Sequence, residues 1–376
     1  MPVPVFYLSN TAFRYSLSFN TGVVRNKFLT RNWEDTIMQK LSVITAALAV
    51  GAAALLVANI DAAQSAEIKV GTFASAKSFT VKDMYIPWIA KVEKESGGEV
   101  SFKQFWGGAL IRSPRKQYEG LLNGIQDASP LLPSYTHKLF PDFSFNALPF
   151  LFRDGEEASS TGWKMYEAGH LRGLEKVFVA AIWTNDNGGM HFNKKLNALS
   201  EIKGLKMRAA GPAEAAVIKV MGGVPVGMGI TQVAQSLHRG VIQGTFNGWS
   251  ALKSFRITPL IVTHVDAPYG VRGFFFAIKK DKFDGLSAKG KGAIRANSGL
   301  KTSRMWGRMN ENRGQKFRKE ASVDAKRNVL SVPGPQQAGF AKKFQFLHDE
   351  WVKSRPDGAK KYKAVKKFIT DYRKGS

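Results

Sequence analysis

Two polar side chains stand at the ends of short apolar runs in the stretch from Glu201 to Gly248: Arg208 closes EIKGLKMR and Asn247 closes GVIQGTFN. A guanidinium is planar, permanently charged and able to hold a carboxylate through two parallel hydrogen bonds, most strongly where water is partly excluded. An amide both donates and accepts, which suits the neighbour of a bound carboxylate or hydroxyl. The pair therefore fits capture of an organic anion. Arg208 in a structural ion pair or on a solvated surface, and Asn247 as a turn residue before Gly248, fit the same pattern. Trp249 lies two residues beyond Asn247 and fits either an apolar wall or plain core.

Catalytic chemistry has little to stand on. There are no cysteines, so disulfides, thiolate metal sites and cysteine nucleophiles are excluded. GLSAKGKG at Gly285 to Gly292 approaches a phosphate-binding loop, but Gly292 stands where a Ser or Thr would meet magnesium. GMG at Gly227 to Gly229 lacks the third glycine of a dinucleotide fingerprint, and neither a GxSxG elbow nor an HExxH pair occurs. The histidines, His137, His170, His191, His238, His264 and His348, are dispersed, with no two at metal-ligand spacing on one helix. The expectation is binding without catalysis, with neither metal nor cofactor. The formal net charge of +26 favours anionic partners. Its basic residues are scattered, however, without aromatic RNA-binding signatures or zinc-finger spacing, so nucleic acid is not the expected partner.

The elements that must position Arg208 and Asn247 read as an α/β alternation. Glu67 to Ala74 and Val100 to Phe105 are strand-like, Thr80 to Ser96 has helical spacing up to the Gly97-Gly98 stop, and Arg115 to Asn123 suggests a short helix before an Asn-Gly turn. Such alternation points to a largely parallel sheet. A second series begins near Val177 (VFVAAIW) and runs through Leu205–Ala209, a helix Ala213–Met221 and a helix Thr231–Arg239. Thr184 to Gly189 (TNDNGG) has the turn chemistry of a crossing between lobes, and the aromatic strand Gly270–Ile278 could return to the first lobe. From Ser287, a plausible N-cap, to about Ala321 there is no proline, which predicts one long helix. In the basic tail, Tyr362, Val365, Phe368, Ile369 and Tyr372 recur at helical spacing, predicting a docked terminal helix with a solvated basic face.

The N-terminus carries its own signal. From Met38, Lys40 precedes an uncharged alanine- and leucine-rich run, Leu41 to Ile60, followed by DAAQSAE. These are the parts of a cleavable secretory signal peptide, with cleavage expected near Ser65 or Ala66 and a periplasmic product. An uncleaved membrane anchor is the alternative. Residues 1–37 precede a complete signal peptide with its own methionine and read as an upstream extension.

The ordered set of Lys206-Met207-Arg208, Gly222-Gly223-Val224-Pro225 and Gly240 to Asn247, with GGAL at Gly107 to Leu110 and LPFLF at Leu148 to Phe152, resembles the substrate-binding subunits of tripartite ATP-independent periplasmic (TRAP) transporters, over roughly residues 67–370. The resemblance implies a two-lobed periplasmic-binding-protein fold with crossing strands and a long bracing helix. Lobe one would be 67–185 plus 274–313, and lobe two 186–273 plus 314–376. By the same resemblance Arg208 matches the carboxylate-binding arginine, Asn247 matches a ligand-bonding position, and the partners are the two membrane permease subunits. Phe150 and Phe152 belong to the LPFLF match, with Phe150 the candidate for ligand contact. Met190 stands where many relatives carry a second arginine; Gln232 and Ala234 replace acidic and aromatic residues, and Gln243 and Phe246 replace common Asp and Glu. A cleft with one anion clamp and few charged neighbours would serve a dicarboxylate poorly. The expected ligand is a monocarboxylate with an apolar or aromatic body. A periplasmic sensory subunit presenting ligand to a membrane receptor would use the same cleft.

Overall fold

The computed structural model describes residues 65–332 and 334–375. The expected upstream extension, 1–37, and all but the last two residues of the expected signal peptide, 38–66, lie outside the described residues. The first strand begins at Ala66, whose N–H is bonded to Glu99, so the expected cleavage point adjoins the start of the fold.

Eleven strand segments among the described residues form two sheets. They are β1 (Ala66–Gly71), β2 (Val100–Phe105), β3 (Ala128–Leu131), β4 (Val177–Thr184), β5 (Gly188–Phe192), β6 (Lys206–Ala209), β7 (Val224–Gly227), β8 (Gly244–Gly248), β9 (Thr263–Asp266), β10 (Gly273–Lys279) and β11 (Asn328–Ser331). The first sheet runs β2-β1-β3-β10-β4 and the second β11-β9-β5-β8-β6-β7. Both are mixed rather than largely parallel. β1 is parallel to β2 and β3, whereas β10 is antiparallel to both its neighbours; β5 is likewise antiparallel to β8 and β9. The reversed strand in each sheet is the one that arrives from the other lobe. β4 passes through Asn185–Asn187 directly into β5, and the chain returns from β9 to β10, so neither has the crossover helix that would keep it parallel.

The helix expected from Ser287 is two helices, Ala288–Ala296 and Leu300–Val323. Ser287 does cap the first, accepting from the Gly290 N–H at 3.0 Å. The break comes at Gly299, whose φ of +97° suits glycine and whose N–H donates to Ala180 on β4. The second helix, restarted there, packs on β4 and the helix Gly155–Glu167 of the first lobe, and on the helix Trp249–Ser254 and β11 of the second, so it braces both.

The terminal helix Gly358–Arg373 buries Val365 and Ile369 as the spacing predicts, but its seat is the first-lobe helix Gly155–Glu167, although the sequence reading grouped 314–376 with the second lobe. Its basic face is not wholly solvated either. Lys361 is buried and reaches the buried Asp142 at 2.7 Å, while Arg373 pairs with the buried Glu157 at 2.6 Å. First-lobe carboxylates that need partners draw the helix to that side.

At the crossing, Asp186 is buried and accepts from the Trp249 N–H at 2.5 Å and the Ser250 hydroxyl at 2.6 Å. Gly314 of the brace helix lies so close to it that a Cβ there would clash. Glu311, one turn earlier, accepts from the Gly155 N–H at 2.9 Å. Burial pushes the Asp186 carboxyl up to about 6; burial, and then the charge of Asp186, push Glu311 up to about 7. Both folded values lie above the ordinary carboxylate range. The native state therefore binds more protons than the unfolded chain between about pH 4 and 7, and stability falls as pH rises through that window. Glu311→Gln, which keeps an acceptor for Gly155, should raise Tm by roughly 2–5 °C at pH 8 and change it little at pH 4, as read by calorimetry across pH.

Candidate functional site

β6 is a four-residue strand, KMRA, paired in parallel with β8, and the register sets Arg208 opposite Thr245. Residues far apart in sequence, Arg208 and Asn247, thus become neighbours toward the carboxyl ends of adjacent parallel strands, the usual side for a ligand crevice in an open α/β sheet. Arg208 Nη1 donates to Asn247 Oδ1 at 2.8 Å and to the Phe246 carbonyl at 3.2 Å. Its Nε donates to the Met228 carbonyl at 3.1 Å, and its Nη2 to the Tyr135 hydroxyl at 2.7 Å. Asn247 Nδ2 donates in turn to Thr245 Oγ1 at 2.6 Å. Arg208 is 1% exposed, and all partners of its guanidinium are neutral oxygens; among the described residues no carboxylate lies within ion-pair distance of it. Burial pulls its pKa below the ordinary arginine value.

A second buried arginine differs in this respect. Arg272, just before β10, donates from Nε to Glu214 Oε1 at 2.5 Å and from Nη2 to the same Phe246 carbonyl that Arg208 uses. Glu214 also accepts from the Ala210 N–H at 2.6 Å. The local group of two guanidiniums and one carboxylate therefore carries one net positive charge.

Both arginines and Asn247 border a cavity of about 80 Å³ between the lobes. Trp183 of β4 and Phe274 of β10 form a first-lobe wall, stacked face to face at 4.0 Å with planes 1° apart. Phe73 of the first lobe stacks across the opening on Phe255 of the second, ring centres 6.2 Å apart. The Tyr135 hydroxyl, also from the first lobe, accepts from Arg208 and from the Ile230 N–H at 3.0 Å, so it ties the lobes together at the guanidinium. Apart from the two arginines, the polar wall residues are neutral, Thr72, Ser78, Thr80, Asn185, Ser250 and Asn310 among them, with no Asp or Glu among the described residues.

Behind Asn247 lies a buried imidazole pair. His191 Nε2 is 3.1 Å from the Asn247 carbonyl oxygen and must donate to it, so its Nδ1 is the acceptor for His264 Nδ1–H at 2.8 Å. Burial holds both rings neutral, His191 pulled down to about 3 and His264 to about 2. The pair fixes the backbone from which the Asn247 amide projects.

Of the side chains singled out from sequence, Arg208 and Asn247 come together at the cavity, while Trp249, Met190 and Phe150 do not wall it. Met190 is fully buried in the core on β5, opposite Phe246. Trp249 opens a helix directly after β8, its N–H held by Asp186, and this turn swings the indole onto His264 at 4.5 Å, facing another recess. Phe150, at φ +60°, packs near Tyr269, Phe340 and Phe344, and Phe152 is buried beside Phe145. Tyr135, Arg272, Trp183 and Phe274 were missed. Trp183 and Arg272 sit at the edges of the VFVAAIW and GVRGFFF runs, where a polar or amphipathic residue ending a buried strand could have been read as facing a crevice.

The model of the family described as bacterial extracellular solute-binding protein, family 7, matches residues 70–354. The chain belongs to that family. This solute-binding protein is 27% identical over 206 residues to the C4-dicarboxylate-binding periplasmic protein DctP of Rhodobacter capsulatus, a match covering 52% of this chain and 60% of that relative. It is 27% identical over 230 residues to a solute-binding protein of Verminephrobacter eiseniae, covering 57% of this chain and 65% of that one. The matches thus span less than two thirds of these curated relatives. Among solved structures, a TRAP solute-binding protein from Rhodoferax ferrireducens in complex with copurified benzoate superposes with a TM-score of 0.77 at 26% identity, over 82% of this chain and 98% of that chain. A marine metagenome TRAP solute-binding protein specific for aromatic acid ligands, in complex with 3-hydroxybenzoate, gives 0.76 at 26% identity over 82% and 99%. The two-lobed fold of the family is thereby that of this solute-binding protein, and the family is one of binding proteins rather than enzymes.

Tyr135→Phe removes the acceptor shared by Arg208 and Ile230 without changing the ring. Leaving a buried guanidinium N–H without that partner should cost about 1–3 kcal/mol in urea unfolding of the ligand-free protein.

Proposed function

We propose that this solute-binding protein captures an aromatic or otherwise apolar monocarboxylate in the cavity between its lobes and delivers it to the membrane permease subunits of a TRAP transporter. The observation that carries the reading is the unmatched charge of Arg208 on the cavity wall: its partners are neutral, Arg272 is matched by Glu214, and no acidic residue lines the wall among the described residues. One carboxylate neutralises that charge. A second carboxylate on the same ligand would have to sit among Phe and Trp side chains without a cation of its own, which costs several kcal/mol. The aromatic walls favour a flat apolar body. The benzoate and 3-hydroxybenzoate complexes of the two solved relatives support this choice. The C4-dicarboxylate-binding relative supports a carboxylate ligand in general.

Export follows from the same reading: with the signal peptide of residues 38–66 removed, the two lobes would work in the periplasm. Arg208 and Asn247 would grip the carboxylate from the second lobe, and first-lobe aromatics would close over it. The closed state gains contacts with ligand that the open one lacks, which is what shifts the population.

Mass spectrometry of small molecules released by denaturing the purified protein, with a thermal-shift screen of benzoate-type acids against C4-dicarboxylates, tests the proposal. An aromatic monocarboxylate at 100 times its Kd should stabilise the protein by about 2.7 kcal/mol. Arg208→Ala should weaken its binding about 100-fold or more. Stabilisation by dicarboxylates alone would overturn the reading.

A further inference from the structure

Among the described residues, two polar atoms of the first-lobe wall make no well-formed hydrogen bond: the Ser78 hydroxyl oxygen and the Trp183 indole N–H, which has only the Tyr85 hydroxyl beside it. Trp183 is 1% exposed and Ser78 7% exposed, and both residues wall the cavity. Trp183 is clamped by its stack on Phe274, and the Ser78 backbone is held by the Ser75 carbonyl at 2.8 Å and the Lys82 N–H at 2.9 Å. A buried donor or acceptor left unmatched costs about 1–3 kcal/mol, so a wall carrying two of them is poorly explained by packing alone.

The cavity is therefore polar on two sides that belong to different lobes. Arg208 and Asn247 stand on the second lobe; Trp183 and Ser78 stand on the first, with aromatic rings in the wall as well. We propose, resting on the monocarboxylate reading, that the ligand is a hydroxy-substituted aromatic acid whose ring hydroxyl is received by Trp183 and Ser78. The chemistry of the two groups selects that substituent. An indole N–H only donates, whereas a serine hydroxyl accepts as well. One phenolic hydroxyl satisfies both, its oxygen accepting from Trp183 and its proton going to Ser78 Oγ. A methyl group satisfies neither. A ligand held at both ends spans the two lobes, which makes its length a condition of closure.

Isothermal titration calorimetry tests this with benzoate, 3- and 4-hydroxybenzoate and the 3- and 4-methylbenzoates of matching size, on the wild type, Ser78→Ala and Trp183→Phe. The wild type should bind one hydroxybenzoate roughly tenfold or more tighter than the methyl acid substituted at the same position. Each substitution should shrink that ratio to within about threefold. Ser78→Ala removes a single oxygen, so the test stands even if Trp183→Phe fails to fold. Hydroxy acids no tighter than their methyl counterparts, or a ratio unchanged in Ser78→Ala, would overturn the proposal while leaving the monocarboxylate reading intact provided benzoate binds. Failure of every aromatic acid, with an aliphatic acid binding instead, would overturn both.

Discussion

Removing a guanidinium from water carries a penalty of several kcal/mol that hydrogen bonds to neutral oxygens only partly offset, and the arrangement around Arg208 is built on that imbalance. Four acceptors hold the side chain in one orientation: carbonyls of Met228 and Phe246, the Asn247 amide and the Tyr135 hydroxyl. None of them supplies a negative charge. The residual field is directed at a cavity whose wall, among the described residues, has no carboxylate and no cation besides Arg208 itself and the matched Arg272.

Much of the remaining structure exists to hold that charge in place between two bodies that meet at it. β6 and β8 bring Arg208 and Asn247 side by side, and the neutral His191–His264 pair anchors the strand behind them. Tyr135 reaches from the other lobe to share the guanidinium, so the contact that orients the arginine is also one that joins the lobes. The crossing strands and the brace helix Leu300–Val323 limit how the lobes can move, and Asp186 with Glu311 puts buried acid where they converge.

The elements that were legible in sequence are those with a local cause. The strand runs EIKVG, VFVAAIW and KMRA and the helix beginning at Pro212 follow from hydrophobic periodicity and from proline and glycine punctuation. The long helix was misjudged because a single glycine inside a helical pattern is compatible with continuation; only the bond from Gly299 to Ala180 turns it into a break. The direction of β5 and β10 was also hidden, since strand polarity depends on which lobe the chain comes from and not on the residues of the strand. Trp249 was set beside the ligand by its nearness to Asn247 and Met190 by its match to a position where relatives carry an arginine, while the structure buries both.

The sequence by itself determined the family, the α/β alternation and the lack of thiol chemistry, and it offered Arg208 and Asn247 as candidates, because these rest on residue identity and local order. Tertiary structure alone decided which charges are matched and which side chains face the cavity. Glu214 neutralises Arg272 from 58 residues away, Tyr135 meets Arg208 across 73, and Trp183 meets Phe274 through strand pairing. Charge balance and cavity walls are properties of contacts between distant segments, and a linear pattern carries no record of them.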